Sequence, residues 1–316
     1  MILILADSTD PWALALARQL TVRGEPYVFQ EPGQMRSSMI DRNPDWGQRL
    51  TGVYRGGSYP FSGNVSTPQS LPPHEAEFDW LVELNALSCP VVNRLSPGGE
   101  VSCRTGSPAW EAVVLAHGFT LPRFYAAFNR DAALSSLDVW SGAAYVKPSG
   151  VVHGGLVLQA EAARAYTGDL APDRPVFLAQ VSPGQLVSLF VVGERVAATV
   201  VRSGMRSETP MPLARLGPSL LQRCSDLVLA LGLVHAECLL SLSADGQIAC
   251  LDVLASPNFW TCPREARQQV ISRLAGYLTS GERAAGVTPV AKAAEEFRSG
   301  ECVSVGAAED RESELR

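Results

Sequence analysis

The chain has 316 residues, of which 46% are hydrophobic and 18% charged, and its formal net charge is −6. This composition excludes a largely disordered chain, and the negative balance without a long basic run argues against nucleic-acid binding. No apolar stretch approaches the roughly 18 residues that a membrane span needs, so a soluble, cytoplasmic protein of two or three packed lobes is expected.

The first hundred residues alternate strand and helix patterns. Asp10 supplies an N-cap, Pro11 takes the first helical position, and Gly24 stands where a C-cap belongs. A second helix is predicted at residues 75–87. The predicted strands are residues 2–6, 27–29, 51–54 and 89–92. This order predicts a small α/β lobe.

Strand patterns dominate the chain after a predicted helix at residues 108–117. The predicted strands are residues 143–147, 155–159, 176–181, 186–192, 195–201, 234–242 and 247–254. Gly193 and Glu194 predict a two-residue hairpin turn. Further helices are predicted at residues 218–231 and 264–278, and the polar tail beyond about residue 281 is expected to be flexible.

The cysteine pattern favours free thiols. The chain has seven cysteines, an odd number, without a CxxC pair, and several lie inside apolar runs. Buried reduced thiols in a cytosolic protein are therefore expected.

Five short segments, in this order, resemble parts of the ATP-grasp fold. The first, residues 52–55 with residues 75–80 and 90–93, is similar to the N-terminal lobe of graspetide (microviridin-type) and RimK-like peptide ligases. The others resemble the entry to the grasp domain (residues 118–122), its strand-Lys-Pro element and glycine loop (145–155), its adenine-binding hinge (177–184) and its paired metal-binding strands (235–257).

The resemblance implies an α/β (α+β) protein with the ATP-grasp fold. It implies a pre-ATP-grasp α/β lobe at residues 1–100, followed by two β-rich grasp lobes. These are a small lobe at residues 101–180 and a C-terminal lobe at residues 181–281, with a flexible tail at residues 282–316. Because such proteins are often dimers through the pre-grasp lobe, a homodimer is also an expectation.

The resemblance further implies a site for ATP and Mg²⁺. ATP-grasp ligases form an acyl phosphate, which needs cations over the phosphates, a glycine loop and oxygen ligands for the metal. The matching positions are Lys147 for a phosphate, Gly150, Gly154 and Gly155 for the loop, Gln180 for adenine, Glu237 and Asp252 for Mg²⁺, and Arg202 for the acyl phosphate.

Two positions depart from the family pattern. The helix position that should carry a second lysine is Ser107, and the nearby Arg104 has a flat guanidinium that cannot reach the same point. The expected third oxygen ligand, an Asn two residues after the acidic one, is replaced by Leu254. We therefore predict a retained fold with a degraded ATP site, and no bound ATP or Mg²⁺ unless the protein is a ligase.

Three functions remain open from the sequence. The first is a degenerate ATP-grasp-like protein that binds the leader of a ribosomal precursor peptide and assists a partner modifying enzyme in natural-product biosynthesis, with crocagin-type pathways as one setting. The second is an active ATP-dependent ligase that joins a carboxylate to an amine or hydroxyl of a peptide. The third is an α/β protein of this shape with a different small-molecule site.

The candidate peptide-binding surface is the hairpin at residues 186–201 with the segment at residues 202–216. This segment has no regular period and contains the candidates Arg202, Met205, Arg206, Met211 and Arg215. Addition of the peptide to a strand edge, with arginine contacts to an acidic leader, is the expected mode. A plain connecting loop is the alternative.

Overall fold

The computed structural model describes residues 1–31, 49–56, 84, 87–93, 105, 107–149, 154–203 and 207–280. This part of the chain contains three β-sheets and six α-helices, which confirms the predicted α+β class. None of its helices is long and apolar enough to cross a membrane. The predicted tail and almost all of the predicted helix at residues 75–87 lie outside the described residues.

The first sheet is parallel and contains the N-terminus. Its order is β2-β1-β3-β4, with β1 at Ile2–Leu5, β2 at Tyr27–Gln30, β3 at Gly52–Arg55 and β4 at Val91–Val92. Helix α1, Pro11–Arg23, joins β1 to β2. The predicted ends of α1 are confirmed, because the Asp10 side chain accepts the N–H of Trp12 at 2.9 Å and Gly24 has a φ of 71°.

The second sheet is antiparallel, in the order β5-β8-β6-β7. Its strands are β5 (Phe124–Ala127), β6 (Ala143–Pro148), β7 (Leu156–Gln159) and β8 (Val176–Val181). The helices of this region are α2 (Pro108–Ala116), α3 (Arg130–Asp138) and α4 (Ala160–Gly168).

Sequence analysis did not predict β5, α3 or α4. The two helices have nine residues each, and the residues that they bury include the small Ala133 and Ala163, so their apolar period is weak. Asn129 was a usable signal, because its side chain caps α3 by accepting the Ala132 N–H at 2.8 Å.

The third sheet is antiparallel, in the order β11-β10-β9-β12-β13. Its strands are β9 (Gly184–Val192), β10 (Arg195–Ser203), β11 (Ser207–Pro210), β12 (His235–Ser243) and β13 (Ile248–Leu254). The remaining helices are α5 (Pro218–Ala230) and α6 (Arg264–Ser280), with a 3-10 turn at Leu213–Arg215. The predicted turn between β9 and β10 is confirmed, with a φ of 62° at Gly193.

The third sheet is covered on both faces. One face packs against α2 and α5, where Val187 and Val191 of β9 share a core with Trp110 and Leu227. The opposite face is divided between two neighbours. One half packs with α1 and α6, and the other half packs with the second sheet. Ser188, Arg202, Glu237 and Asp252 lie on this divided face, and Thr105, Tyr145 and Lys147 contact Asp252 from outside the sheet. We call these seven polar side chains the belt.

The sequence predicted buried thiols, and Cys89, Cys224, Cys238, Cys250 and Cys262 are all buried. A hydrogen bond with Cys224 and burial together raise the pKa of Cys238, and burial raises the pKa of Cys250, both well above the ordinary value of 9. Cys238 and Cys250 are therefore protonated and unreactive at neutral pH. Cys103 and Cys302 lie outside the described residues.

Candidate functional site

Asp252 is the centre of a hydrogen-bonded cluster between the second and third sheets. It is fully buried on β13. Its carboxylate accepts hydrogen bonds from Lys147 Nζ and the Val253 N–H, each at 2.9 Å, and from the hydroxyls of Tyr145 and Thr105. A carboxylate offers about four acceptor positions, so these four donors fill its capacity.

Glu237 forms a second cluster on β12. It is fully buried, and its Oε1 accepts hydrogen bonds from Arg202 Nη2 and, at 2.7 Å, from the Ser188 hydroxyl. Arg202 Nε also donates to Ser188 at 2.5 Å. The Oε2 atom of Glu237 has no hydrogen-bond partner in the described part of the chain. The Arg202 guanidinium thus balances the charge of Glu237, whereas Oε2 accepts no hydrogen bond from the described residues.

A β-bulge directs Asp252 towards the second sheet. Leu239 of β12 pairs with Asp252, whereas the next residue of β12 pairs with Cys250, so Leu251 is an extra residue in β13. Leu251 packs towards the second sheet, and Cys250 and Val253 pack on the opposite face with α5. Without the bulge, strict alternation would place Asp252 on the side of Cys250.

Tyr145 links Asp252 to the glycine loop. Burial raises the pKa of Tyr145 well above its ordinary value of 10, and the charge of Asp252 raises it further. The hydroxyl is therefore protonated at neutral pH and donates to Asp252, while it accepts the Gly155 N–H at 2.9 Å. Phosphate loops bind their ligand through such backbone N–H groups. In this chain the Gly155 N–H donates to the Tyr145 hydroxyl instead.

Leu254 packs directly on the glycine loop. Gly154 has a φ of 86°, and a Cβ atom added there would lie 2.7 Å from Leu254 Cδ1. Gly154 is therefore required both by its backbone conformation and by this contact. Leu254 also occupies the position where the family resemblance places a metal-binding oxygen, so an aliphatic side chain stands beside the loop.

The residues present do not fit Mg²⁺ and ATP as the resemblance implies. Asp252 has no acceptor to spare, and the Gly155 N–H is engaged within the chain. Between the second and third sheets, the buried side chains of Tyr145, Ala179, Val181, Leu239 and Leu251 pack together. Within the described ranges, no three His, Cys, Asp or Glu residues are placed to hold a metal ion.

The other predicted site residues lie apart from this belt. Gln180 is half-buried on β8, where its N–H donates to the Arg123 carbonyl at 3.3 Å. Arg215 is exposed at the end of the 3-10 turn. Met211 is only 8% exposed because it packs in the core beside α5, and this burial removes it from the surface proposed for the peptide. Gly150, Met205 and Arg206 lie outside the described residues.

Three residues of the belt were not predicted: Thr105, Tyr145 and Ser188. Tyr145 lies two residues before Lys147 on β6, so the pleat places both side chains on one face. Ser188 is an isolated polar residue within the apolar strand β9, which was a usable signal. The sequence around Thr105 offers no such signal.

Asn93 fixes the position of β12. Its Nδ2 donates to the carbonyls of His235 and Ala255 at 2.8 and 2.7 Å, and its Oδ1 accepts the N–H groups of Val234 and His235 at 2.9 and 2.8 Å. Asn93 itself adopts a φ of 51°, which asparagine tolerates better than most residues. Three of these hydrogen bonds join the end of β4 to the start of β12 at Val234 and His235, and the fourth joins it to Ala255, directly after β13.

Known structures share this architecture, although no family model and no curated protein matches the chain. The ATP-grasp ligase PsnB, complexed with minimal precursor, Mg and ADP, has a TM-score of 0.62 and 16% identity over 89% of this chain and 96% of its own. The macrocyclase MdnC from Microcystis aeruginosa MRC, bound with its precursor peptide MdnA, has a TM-score of 0.58 and 10% identity, covering 89% of this chain and 100% of MdnC.

A third similar structure is an ATP-grasp RimK domain protein from Sphaerobacter thermophilus, with a TM-score of 0.54 and 16% identity over 87% of this chain and 98% of that chain. Each match spans nearly the whole of the known protein, so all the described lobes contribute to the likeness. The resemblance predicted from the sequence is confirmed at the level of the fold. The chain therefore has the ATP-grasp fold.

Proposed function

We propose that this chain binds a ribosomal precursor peptide through its leader segment and assists a partner enzyme, without acyl-phosphate chemistry of its own. The observation that carries this proposal is the state of the two candidate metal ligands. Asp252 is paired with Lys147 at 2.9 Å, and Glu237 is paired with Arg202. The two acids expected to bind Mg²⁺ and the two cations expected to contact phosphate groups are therefore paired with each other.

The energy of these pairs supports the proposal. Both carboxylates are fully buried, and the exposed fractions of Lys147 and Arg202 are 21% and 18%. Separating a buried ion pair costs about 3–5 kcal/mol when one charge is left without a partner. Mg²⁺ and phosphate groups would have to replace the partner of each charge, so ATP binding competes directly with these two ion pairs.

The similar proteins support the peptide as the ligand. PsnB and MdnC are both known in complexes with precursor peptides. A relative that lost ATP binding could retain a surface that binds the peptide.

We also propose that the protein acts in the cytoplasm and pairs through its N-terminal lobe. Trp12 of this lobe is buried and donates to the Pro257 carbonyl at 2.7 Å, so other residues would form the contact between two copies.

One observation favours an active ligase as the second candidate function. Glu237 Oε2 is a buried oxygen without a partner in the described residues, which is a place where a cation could bind. A ligase would release Lys147 and Arg202 from their acids so that both could contact phosphate groups. Glu237 and Asp252 would then hold Mg²⁺.

Calorimetry separates the two functions. We expect the purified protein to bind the precursor peptide encoded beside its gene with a dissociation constant of about 1–10 µM and to give no heat with Mg-ATP. The control is Glu237→Gln, which should leave the peptide affinity within about twofold because this acid is buried. ATP heat that Glu237→Gln abolishes, together with ADP release in the presence of the peptide, would instead establish the ligase.

A further inference from the structure

The first half of β10 has an open edge. On the side away from β9, β11 pairs only with residues 200–203 of β10, and the Met211 N–H donates to the Thr199 carbonyl at 2.9 Å. Residues 195–198 have no strand partner on that side among the described residues. Alternate residues of an antiparallel strand direct both backbone N–H and C=O to one side, so an open edge can pair with another extended segment. A β-bulge at Ala197 interrupts this alternation, so the added segment pairs with β10 on either side of Ala197.

A groove of about 660 Å³ runs beside this open edge. One wall consists of residues 195–197 of β10. The other wall is the outer side of α6, formed by residues 265, 268, 269, 272, 273 and 276. These positions are three or four residues apart, so they form one continuous stripe along the helix. The groove thus combines an unpaired strand edge with a parallel row of polar side chains.

The groove is locally basic in a protein of negative net charge. Arg195 and Arg273 are both exposed, and neither has an ion-pair partner in the part of the chain that the structure describes. Arg23 adds a third guanidinium at the same wall, because it donates to the carbonyl and hydroxyl of Ser272 at 3.0 and 2.8 Å. Glu265 is the acidic residue of the lining. A ligand carrying carboxylates would complement this charge.

We propose that this groove is the docking site for an acidic, extended segment of the precursor peptide, which adds to the edge of β10 at residues 195–198. This inference rests on the proposed function and names the surface that would perform it. Backbone hydrogen bonds to β10 supply affinity, and alternate peptide side chains face the α6 stripe. Arg195 and Arg273 bind peptide carboxylates, and Gln268 and Gln269 bond to polar groups of the peptide.

Charge reversal in the groove tests the site. The fluorescein-labelled precursor peptide is titrated by anisotropy against the wild type, the double variant Arg195→Glu/Arg273→Glu, and Arg264→Glu. Arg264 is the matched control, because it is exposed on the same helix but does not line the groove. We expect the double variant to bind at least about tenfold more weakly, and Arg264→Glu to bind within about twofold of the wild type.

N-methylation of the peptide tests strand addition. A labelled ten-residue peptide of alternating Glu and Val is prepared in three forms: unmodified, N-methylated at every Glu, and N-methylated at every Val. Because only alternate backbone N–H groups of an added strand face β10, one methylated form should lose binding and the other should retain it. Hydrogen exchange of residues 195–198 should slow when the unmodified peptide binds.

The outcomes distinguish this inference from the proposed function. If the wild type and the double variant bind the precursor equally well, the peptide docks elsewhere and the proposed function survives. Equal binding of the two N-methylated forms would exclude strand addition as the mode. If the wild type binds no precursor at all, the proposed function fails and this inference fails with it.

Discussion

Replacing Arg202 by methionine is expected to lower the free energy of unfolding by about 3–5 kcal/mol. The substitution keeps much of the aliphatic stem but leaves the carboxylate of Glu237, which is fully buried, with the Ser188 hydroxyl as its remaining donor among the described residues. An unpaired buried charge costs far more than the net contribution of the intact pair, because its hydration is lost without compensation. Urea unfolding at pH 7.5, followed by circular dichroism, measures the change.

Two further variants separate charge from packing in this experiment. Arg202→Met/Glu237→Gln removes both charges and should recover more than half of the loss, because no buried ion remains. Arg195→Met makes the same change at an exposed position of the same strand and should stay within about 0.5 kcal/mol of the wild type. A decrease of less than about 1 kcal/mol in the free energy of unfolding of Arg202→Met would mean that the Arg202–Glu237 pair behaves like a solvated surface pair. The pair would then give no support to the proposed absence of ATP binding.

Acidification is expected to destabilise the protein through His235. Burial lowers the pKa of His235 from 6.5 to about 4, and its Nε2 has no hydrogen-bond partner in the described residues. Between these two pH values the unfolded chain binds a proton that the folded chain does not, so stability is complete above pH 6.5 and falls as the pH falls towards 4. At about 1.36 kcal/mol per pKa unit, protonation of His235 lowers the free energy of unfolding by about 3 kcal/mol between pH 6.5 and pH 4.

Replacement of His235 isolates this contribution. His235→Phe keeps an aromatic ring against Trp12, whose ring centroid lies 5.3 Å away, and removes the titrating group. The stability of the wild type relative to this variant should fall by about 2–3 kcal/mol between pH 7.5 and pH 4.5. His235→Asn has a different packing cost but should give the same pH-dependent difference. Parallel pH profiles for the wild type and both variants would show that His235 does not titrate in this way.

Local signals in the sequence determined much of the secondary structure. The ends of α1 follow from the capping chemistry of Asp10 and Gly24, which involves only neighbouring residues. Strand β8 was predicted with its observed bounds, because a six-residue run with strand-forming side chains needs no distant partner to be recognised. The short helices α3 and α4 were missed because alanine packs in a helix without giving a strong apolar period.

The four charged residues of the site were predictable from the sequence, but their pairing was not. Lys147, Arg202, Glu237 and Asp252 were all identified from motif positions in the sequence. Their partners depend on residues far away in the chain: Lys147 and Asp252 are 105 residues apart, and Arg202 and Glu237 are 35 apart. Whether such an acid holds a metal ion or a guanidinium depends on which donors the fold brings to it, and no local pattern records that.

The sequence by itself determined most of the strands and helices, the ATP-grasp resemblance, and the presence of Leu254 where that resemblance places an oxygen ligand. Only the tertiary structure decided that the Asp252 carboxylate accepts four hydrogen bonds and that a bulge at Leu251 directs this carboxylate towards Lys147. It likewise decided that Met211 is buried. It also decided that the first half of β10 has an open edge beside α6. The physical reason is that capping and periodicity act over a few residues, whereas ion pairing, strand register and burial depend on contacts between distant segments.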